Sequence, residues 1–228
     1  SWSALGLGMN NTVNALAVSG TTLYVGGTFT SVTNSGGAAV AASKIAKWDG
    51  SSWSSLGTGI SGNVGAISTL AISGGNLYAG GAIRTADGVV ANNFAMWNGS
   101  TWAALGSGMN NPVTALAVSG SDVYVGGGFQ TVPSGLVANN IAKWNGSNWS
   151  TVGLGLNSNV IALAMAGGDL YAGGYFTLAT NTGGATVAVN RIAKWDGNNW
   201  SALAGGLSDI VATILVADTN LYVGGYFT

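Results

Sequence analysis

Few side chains in this sequence are capable of acid–base chemistry. The 228 residues include no His and no Cys, and all seven acidic residues are Asp. General acid–base catalysis would therefore depend on Asp, Lys or Tyr. No Asp is spaced to face a second Asp, and no D-x-D-x-D-G calcium loop occurs. The sequence predicts a protein that is not an enzyme and that holds no metal or other cofactor.

Tyr and Asn side chains are the better candidates for binding a ligand. Tyr175 and Tyr226 directly follow a Gly-Gly doublet, at a position that holds Thr28, Ala82 or Gly128 elsewhere. Asparagines also mark the short segments before several apolar stretches, and we expect these segments to be exposed loops, where binding residues usually lie. The predicted ligand-binding residues are therefore Tyr175, Tyr226, Asn10, Asn11, Asn110, Asn111 and Asn157.

A pattern of about 50 residues recurs along the whole chain. Segments of the type W-x-x-L-G-x-G alternate with an apolar stretch, with L-Y-V-G-G-x-F and, four times, with I-A-K-W. Four short strands in a repeat of this length are typical of a β-propeller blade. The approximate repeats are 1–51, 52–100, 101–147, 148–198 and a partial one at 199–228.

The segments of each repeat can be assigned to four strands. The Ala-rich apolar stretch is strand A, L-Y-V-G-G is strand B, I-A-K-W is strand C, and W-x-x-L-G is the outer strand D. A Gly pair inside a strand indicates a bulge or a close approach by a neighbour. The pattern W-[D/N]-G-x-x-W predicts a tight turn between strands C and D, with its tryptophans stacked across the hairpin or on the next blade. Because these tryptophans recur in the repeats, core packing is favoured over stacking on sugars.

The fifth repeat lacks its I-A-K-W segment. The sequence starts on a strand D pattern at Trp2 and stops at Thr228, just after a strand B. We therefore expect a single domain over 1–228, an all-β propeller of five four-stranded blades. The last blade would be closed by the N-terminal outer strand and would lack one strand. The gap could be filled by a continuation of the same chain, by a partner's strand, or by direct pairing of D with B. The edge at 221–228 is the predicted partner site, because an unpaired edge is a template for strand addition.

Charge and hydropathy disfavour two other classes of partner. The net charge is −1 and the six basic residues are scattered, which predicts that the chain does not bind nucleic acid. No apolar run reaches the 18 residues that a membrane span requires, so we expect no membrane insertion.

The full consensus V-x-A-L-A-V…L-Y-V-G-G-x-F-T…I-A-K-W-D-G-x-x-W-x-x-L-G-x-G resembles the bacterial delta-sixty propeller repeat. It is also similar to the repeats of fungal cortical polarity-marker proteins and, more distantly, to Kelch and galactose-oxidase-type blades. The resemblance covers the whole chain. It implies an extracellular or cell-surface propeller that serves as a structural scaffold or protein-interaction module. The copper ligands of galactose-oxidase-type enzymes include Cys and His, which this sequence lacks. The alternative function is a lectin-like propeller that binds glycans at repeated sites.

Overall fold

A computed structural model describes residues 3–61 and 67–228, and in these ranges the chain forms twenty-seven β-strands and no helix. The all-β prediction is confirmed. Numbered in chain order, the A strands are β2 (Val13–Ser19), β9 (Ile67–Ser73), β15 (Val113–Ser119), β20 (Val160–Ala166) and β26 (Val211–Ala217). The B strands are β3 (Thr22–Gly27), β10 (Asn76–Gly81), β16 (Asp122–Gly127), β21 (Asp169–Gly174) and β27 (Asn220–Gly225).

The C and D strands are shorter. The C strands are β6 (Ile45–Trp48), β13 (Phe94–Trp97), β17 (Ile141–Trp144) and β24 (Ile192–Trp195). The D strands are β7 (Trp53–Ser55), β14 (Trp102–Ala104), β18 (Trp149–Thr151) and β25 (Trp200–Ala202). The predicted order A-B-C-D is confirmed, because four antiparallel sheets have the orders β2-β3-β6-β7, β9-β10-β13-β14, β15-β16-β17-β18 and β20-β21-β24-β25.

The chain divides into two compact units, Ser1–Gly108 and Met109–Thr228. The first unit holds the first two of these sheets. The second unit holds the other two and the final hairpin β26–β27. Residues 62–66, where the predicted strand A of the second repeat begins, lie outside the described residues, as does Trp2.

Each C–D turn is built by one acidic or amide side chain. In the first sheet, Asp49 Oδ1 accepts hydrogen bonds from the backbone N–H groups of Ser51 and Ser52, each at 2.8 Å. Gly50 then takes a φ of 105°, a conformation that favours glycine. The turn brings Trp48 and Trp53 into register, with ring centroids 5.2 Å apart. The predicted contact between the tryptophans across the hairpin is confirmed, but the rings are tilted rather than stacked, at 57° in this pair. Tilted pairs recur at Trp97–Trp102, Trp144–Trp149 and Trp195–Trp200.

Three of the four D-strand tryptophans belong to the core, and the fourth, Trp149, is half-buried. Trp53, Trp102 and Trp200 are buried. Each donates its indole N–H to the carbonyl of the Leu or Val before a glycine at the end of the preceding D segment: Trp53 to Leu5 at 2.8 Å, Trp102 to Leu56 at 3.0 Å, and Trp200 to Val152 at 3.0 Å. A buried indole is stable when its N–H has such a partner. Core packing, rather than sugar stacking, is thus the role of these rings.

Neighbouring sheets within each unit pack face to face at the first glycine of the Gly-Gly doublet. A Cβ built on Gly26 would lie 2.5 Å from Ile67 Cγ2, on strand A of the next sheet. A Cβ on Gly126 would likewise lie 2.6 Å from Val160 Cγ1. Glycine is therefore required for the two faces to approach, and the close approach predicted from the doublet is confirmed.

Strand A is bulged opposite the doublet. In the first sheet the ladder shifts register between Val13 and Ala15, which face Gly27 and Gly26 respectively. The same shift occurs in the third, fourth and last repeats. The Gly-Gly doublet therefore has two structural roles. It lies opposite the bulge in strand A of its own sheet, and its first glycine leaves a recess for strand A of the next sheet.

The B–C connections contain strands that the sequence did not predict. Short strands β4 (Ser31–Thr33) and β5 (Ala39–Ala41) form a hairpin, and β4 also pairs with β1 (Gly8–Met9). Two further three-stranded sheets are built in the same way. They contain β8 (Ile60–Ser61), β11 (Thr85–Ala86) and β12 (Val89–Val90), and β19 (Gly155–Leu156), β22 (Leu178–Thr180) and β23 (Thr186–Ala188). The B–C connection therefore lies against the D–A segment, the stretch between a strand D and the next strand A.

The last repeat consists of the hairpin β26–β27. Within the described residues β27 pairs with β26 alone, whereas β3, β10, β16 and β21 each pair on both sides. The lack of a strand C in this repeat stays a prediction, because the described residues end at Thr228, directly after β27. Closure by an N-terminal outer strand depends on Trp2 and stays a prediction, as does the single domain over 1–228.

Candidate functional site

Three of the predicted binding asparagines hold two loops together. Asn10 Oδ1 accepts hydrogen bonds from the backbone N–H groups of Thr30 and Ser31 at 2.9 and 3.0 Å. Asn10 Nδ2 donates to Thr30 Oγ1 at 2.9 Å. Asn157 makes the matching set with Thr177 and Leu178, at 2.9 to 3.1 Å. Each side chain joins the D–A segment to the start of the B–C connection.

Asn110 makes the same bridge through its carbonyl oxygen. Asn110 Oδ1 accepts from the N–H groups of Gln130 and Thr131 at 2.9 and 3.2 Å. The matching positions in the second and last repeats are serines. Ser61 Oγ lies 2.6 Å from Thr85 Oγ1, and Ser208 Oγ accepts from the N–H of Thr228 at 3.2 Å. The amide oxygens of this position are thus engaged within the loops.

Asn11 and Asn111, the residues that follow Asn10 and Asn110, have different surroundings. Asn11 Oδ1 accepts from the N–H of Thr12, the next residue, at 2.8 Å. Asn111 instead lines a cavity of about 290 Å³ together with Pro112, Thr114, Gly128 and Asn159. Drug-sized ligands occupy cavities of roughly 300–1,000 Å³, so this space suits a ligand no larger than about one sugar ring.

The chemistry of this cavity is that of neutral amides. Asn111 and Asn159 can both donate and accept hydrogen bonds. The Thr114 hydroxyl donates to Val160 O at 2.5 Å, which occupies its proton. No titratable side chain lines the cavity. The cavity can therefore bind hydroxyl or amide groups, and it holds no group for acid–base catalysis.

Glycine at position 128 helps to open this cavity. A Cβ at Gly128 would lie 3.1 Å from Asn159 Oδ1. The matching position in the next repeat holds Tyr175, whose backbone N–H donates to Asn159 O at 2.9 Å. Asn159 therefore connects two predicted site residues, Asn111 through the cavity and Tyr175 through its backbone.

The phenol rings of Tyr175 and Tyr226 are exposed, to 44% and 74%. The backbone N–H of Tyr226 donates to Ile210 O at 3.0 Å, and Arg191 Nη1 donates to Tyr175 O. The backbone of both residues is therefore fixed while the ring is accessible. Of the seven predicted residues, Asn10 and Asn11 lie in the first unit and the others in the second. Their role in binding stays a prediction.

The edge predicted to bind a partner is partly exposed. Leu221 and Val223 are half-buried, and Gly225 is exposed. In the other repeats the second glycine of the doublet donates its N–H to the residue before strand C, as Gly174 does to Arg191 O at 3.1 Å. The matching N–H of Gly225 points to the side of β27 that has no neighbouring strand among the described residues.

Two ion pairs on strands B and C were not foreseen from the sequence. Lys143 Nζ lies 3.0 Å from Asp122 Oδ2, and Lys194 Nζ lies 2.6 Å from Asp169 Oδ2. A partial signal was available, because the second repeat has Asn76 at the acidic position and Met96 at the basic one, although the first repeat combines Thr22 with Lys47. The hydrogen bond to Asp169 raises the pKa of Lys194. These lysines thus pair with an acid rather than only covering apolar surface with their stems.

The remaining pKa shifts have structural causes. Hydrogen bonds from the backbone of Asn199 and Asn198 hold the pKa of Asp196 below its usual value. Asp87 has a lowered pKa because Thr58 donates to it through its hydroxyl and its N–H, at 2.7 and 2.9 Å. Among the described residues no three His, Cys, Asp or Glu side chains are grouped as a metal site would require. No helix in that part of the chain is long and apolar enough to cross a membrane.

A comparison with family models matches residues 3–166 to the model described as the Rax2 C-terminal beta propeller domain. The chain belongs to this family. Membership accounts for the repeated four-stranded sheets, and it agrees with the resemblance to fungal cortical polarity-marker repeats. The Rax2 match gives no support to the more distant resemblance to Kelch blades. A comparison with curated proteins gives no match.

Solved structures similar to this Rax2-type chain show the fold. The crystal structure of the computationally designed Ika8 protein is 17% identical, with a TM-score of 0.54, over 96% of this chain and 70% of that one. The structure of YjhT is 16% identical, with a TM-score of 0.51, over 92% of this chain and 70% of that one. At these identities the similarity concerns the fold alone.

Proposed function

We propose that this chain is a non-catalytic interaction module, and that its binding element is the edge of β27 that no strand of the described residues covers. A partner's strand or a continuation of the same chain would fit there. The observation that carries the proposal is the pairing of the B strands. Four of the five are flanked on both sides, and within the described residues β27 is flanked by β26 alone. A strand added at this edge would complete the ladder, which is the mode of recognition known as β-augmentation.

The chemistry of the binding segment follows from the strands that occupy this position in the other repeats. Strand C of the fourth sheet has the sequence I-A-K-W at Ile192–Trp195 and leads through its turn into Trp200. A partner segment with two aliphatic residues, a basic residue and a Trp, followed by a tight turn, would fit β27 in the same register. We place this function outside the cell or at its surface, because the resemblance to fungal cortical polarity-marker repeats implies that location.

The test is a peptide that carries residues 190–203 of this chain, added to the full chain. We expect saturable binding and slowed hydrogen exchange at the Gly225 amide. A peptide of the same composition in scrambled order is the control. Absence of binding would overturn the proposal. So would exchange at Gly225 that is as slow as at Gly174 before peptide is added, since the edge would then already be covered.

A second candidate function is glycan binding, and the cavity between Asn111 and Asn159 favours it. Its size and its neutral amide lining suit one sugar ring. We expect the full chain to bind on a glycan array, and Asn111→Ala to abolish this binding. The matched control is Asn11→Ala, because Asn11 occupies the same repeat position and is not among the residues lining this cavity. An array without signal would remove the lectin hypothesis.

A further inference from the structure

Two of the four C–D turns carry an Asn-Gly pair where the other two carry Asp-Gly. The pairs are Asn98-Gly99 and Asn145-Gly146, all four residues are exposed, and the sequence contains no other Asn-Gly pair. Asn98 Oδ1 accepts hydrogen bonds from the backbone N–H groups of the second and third residues after it, at 2.9 Å each. Asn145 Oδ1 accepts from the matching groups at 2.9 and 2.8 Å. Each carboxamide is thus folded back over the glycine that follows it.

The glycine nitrogen next to this carboxamide is available to react. Among the described residues, no acceptor pairs with the N–H of Gly99 or of Gly146. The two glycines have φ angles of 98° and 95°, and because they lack a side chain they leave the nitrogen uncovered. Each turn therefore places an unpaired backbone N–H beside the Cγ atom of the preceding Asn.

These two groups can react with each other in water without a further catalyst. When the Gly99 nitrogen gives up its proton to solvent and forms a bond to Asn98 Cγ, negative charge develops on Oδ1. The two N–H groups already bonded to that oxygen would stabilise the charge, as the donors of an oxyanion hole do. The bond from Cγ to Nδ2 then breaks, Nδ2 takes up a proton from water, and ammonia leaves. Water opens the resulting cyclic imide at one of its two carbonyls, which gives Asp or isoaspartate.

We propose that Asn98 and Asn145 deamidate in the folded chain, and that the hydrogen bonds of their own C–D turns promote the reaction. The first and fourth sheets show that the turn accepts the Asp product, because Asp49 and Asp196 receive the same pair of backbone hydrogen bonds. These backbone donors hold the pKa of both carboxyls below its usual value. Each conversion adds one negative charge to a chain whose net charge is −1.

The isoaspartate product would fit the turn less well. It adds one methylene to the main chain between Trp97 and Trp102, whose ring centroids are 5.5 Å apart across the hairpin. The turn sets the register in which these two residues face each other, so a longer main chain would displace one ring. Conversion to Asp therefore preserves the turn, whereas conversion to isoaspartate disturbs the tryptophan pair.

The test is peptide mapping of the full chain by mass spectrometry during storage at mildly alkaline pH. Both sites are also N-x-S sequons, so the chain is produced in a host that does not glycosylate. We expect Asn98 and Asn145 to lose ammonia at least about tenfold faster than Asn148. Asn148 is the matched control, because it is also exposed and lies in the same turn as Asn145, but Trp149 follows it. Equal rates at the three sites would overturn the inference.

A variant and an unfolded sample separate the effect of the turn from that of the dipeptide. Asp196→Asn places the same amide before Gly197 in the fourth sheet, and it should convert to Asp or isoaspartate at a rate similar to that of Asn145. In urea the hydrogen bonds of the turns are lost, so both natural sites should react more slowly than in the folded chain. An unchanged amide in Asp196→Asn, or faster reaction in urea, would mean that the turn does not promote the reaction. Neither the edge of β27 nor the cavity at Asn111 takes part, so the result is independent of the proposed function.

Discussion

The fourth and last B strands have nearly the same sequence and very different surroundings. β21 reads D-L-Y-A-G-G and β27 reads N-L-Y-V-G-G. Leu170 of β21 is fully buried, whereas Leu221 of β27 is half-buried. Tyr222 is 56% exposed, while the matching Tyr171 is half-buried. The difference lies in the neighbours, because β21 has a strand on each side and a hairpin on its Gly173 face.

The comparison teaches that burial in this fold is conferred by the adjacent elements rather than by the strand's own residues. Each B strand has the same pattern of a Leu or Val, a Tyr and two glycines. These residues are buried only when strand C and the next strand A pack against them. The same substitution in β21 and β27 should therefore have unequal effects.

The largest effect is expected from truncating the buried leucine of β21. Leu170→Ala should lower the free energy of unfolding by about 2–5 kcal/mol, because it leaves a cavity in a closed core. Leu221→Ala should cost clearly less, since its surroundings are partly open. Urea denaturation of both variants at low protein concentration measures the difference. Equal losses would mean that β27 is covered in solution.

The next effect concerns the glycine recess. Gly173→Val should cost about 1–3 kcal/mol, because a side chain there overlaps Val211 and crowds Ile214. Gly224→Val, the matched variant in the last hairpin, should stay within about 0.5 kcal/mol of wild type when measured on the monomer. Thermal and urea denaturation both report this contrast. A large loss at Gly224 would contradict the open recess.

A smaller effect is expected from the ion pair of the fourth sheet. Lys194→Met removes the pair with Asp169 and introduces the residue that the second repeat carries at this position. The urea midpoint should fall slightly at low salt, and the difference from wild type should shrink at high salt because exposed pairs are screened. Asn220→Asp in β27 is the comparison and should have no such salt dependence, since no strand C lysine faces it within the described residues.

The smallest effect is a change in stability that is expected only at acidic pH. The folded-state pKa of Asp196 is lowered, so its carboxylate contributes stability above the unfolded pKa of about 3.9, and this is lost as pH falls through the folded pKa. Asp196→Asn keeps the oxygen that accepts from Asn198 and Asn199, as Asn145 does in the third sheet. The variant should match wild type near neutral pH and lose less stability in acid. Parallel acid titrations followed by tryptophan fluorescence measure this, and identical curves would contradict it.

Much of the fold could be predicted because each local signal had one structural solution. The C strands begin and end at the predicted residues, from Ile45–Trp48 to Ile192–Trp195, since each I-A-K-W segment leads into a D/N-G turn that sets the register. The Gly-Gly doublet likewise predicted both the bulge and the close approach. Membership of the Rax2 propeller family agrees with this reading of the repeats.

The candidate site was less predictable, because it depends on contacts between distant residues. Asn10 and Asn111 are both loop asparagines in the sequence, yet Asn10 bridges to Thr30 while Asn111 lines a cavity. The hairpin β4–β5 was not predicted from the sequence. Its strands are three residues long, and pairing with β1 stabilises them. Such short strands leave little periodic signal.

The sequence by itself determined the repeats, their four strands and the turns between them. These features arise from local rules of side-chain alternation, turn chemistry and aromatic pairing, which act over a few residues. Only the tertiary structure decided which equivalent surfaces are covered. Tyr171 and Tyr222 are the same residue type at the same position of their strands, yet Tyr171 is half-buried and Tyr222 is exposed. Whether such a residue belongs to the core depends on the elements packed against it, and the strand's own residues do not encode them.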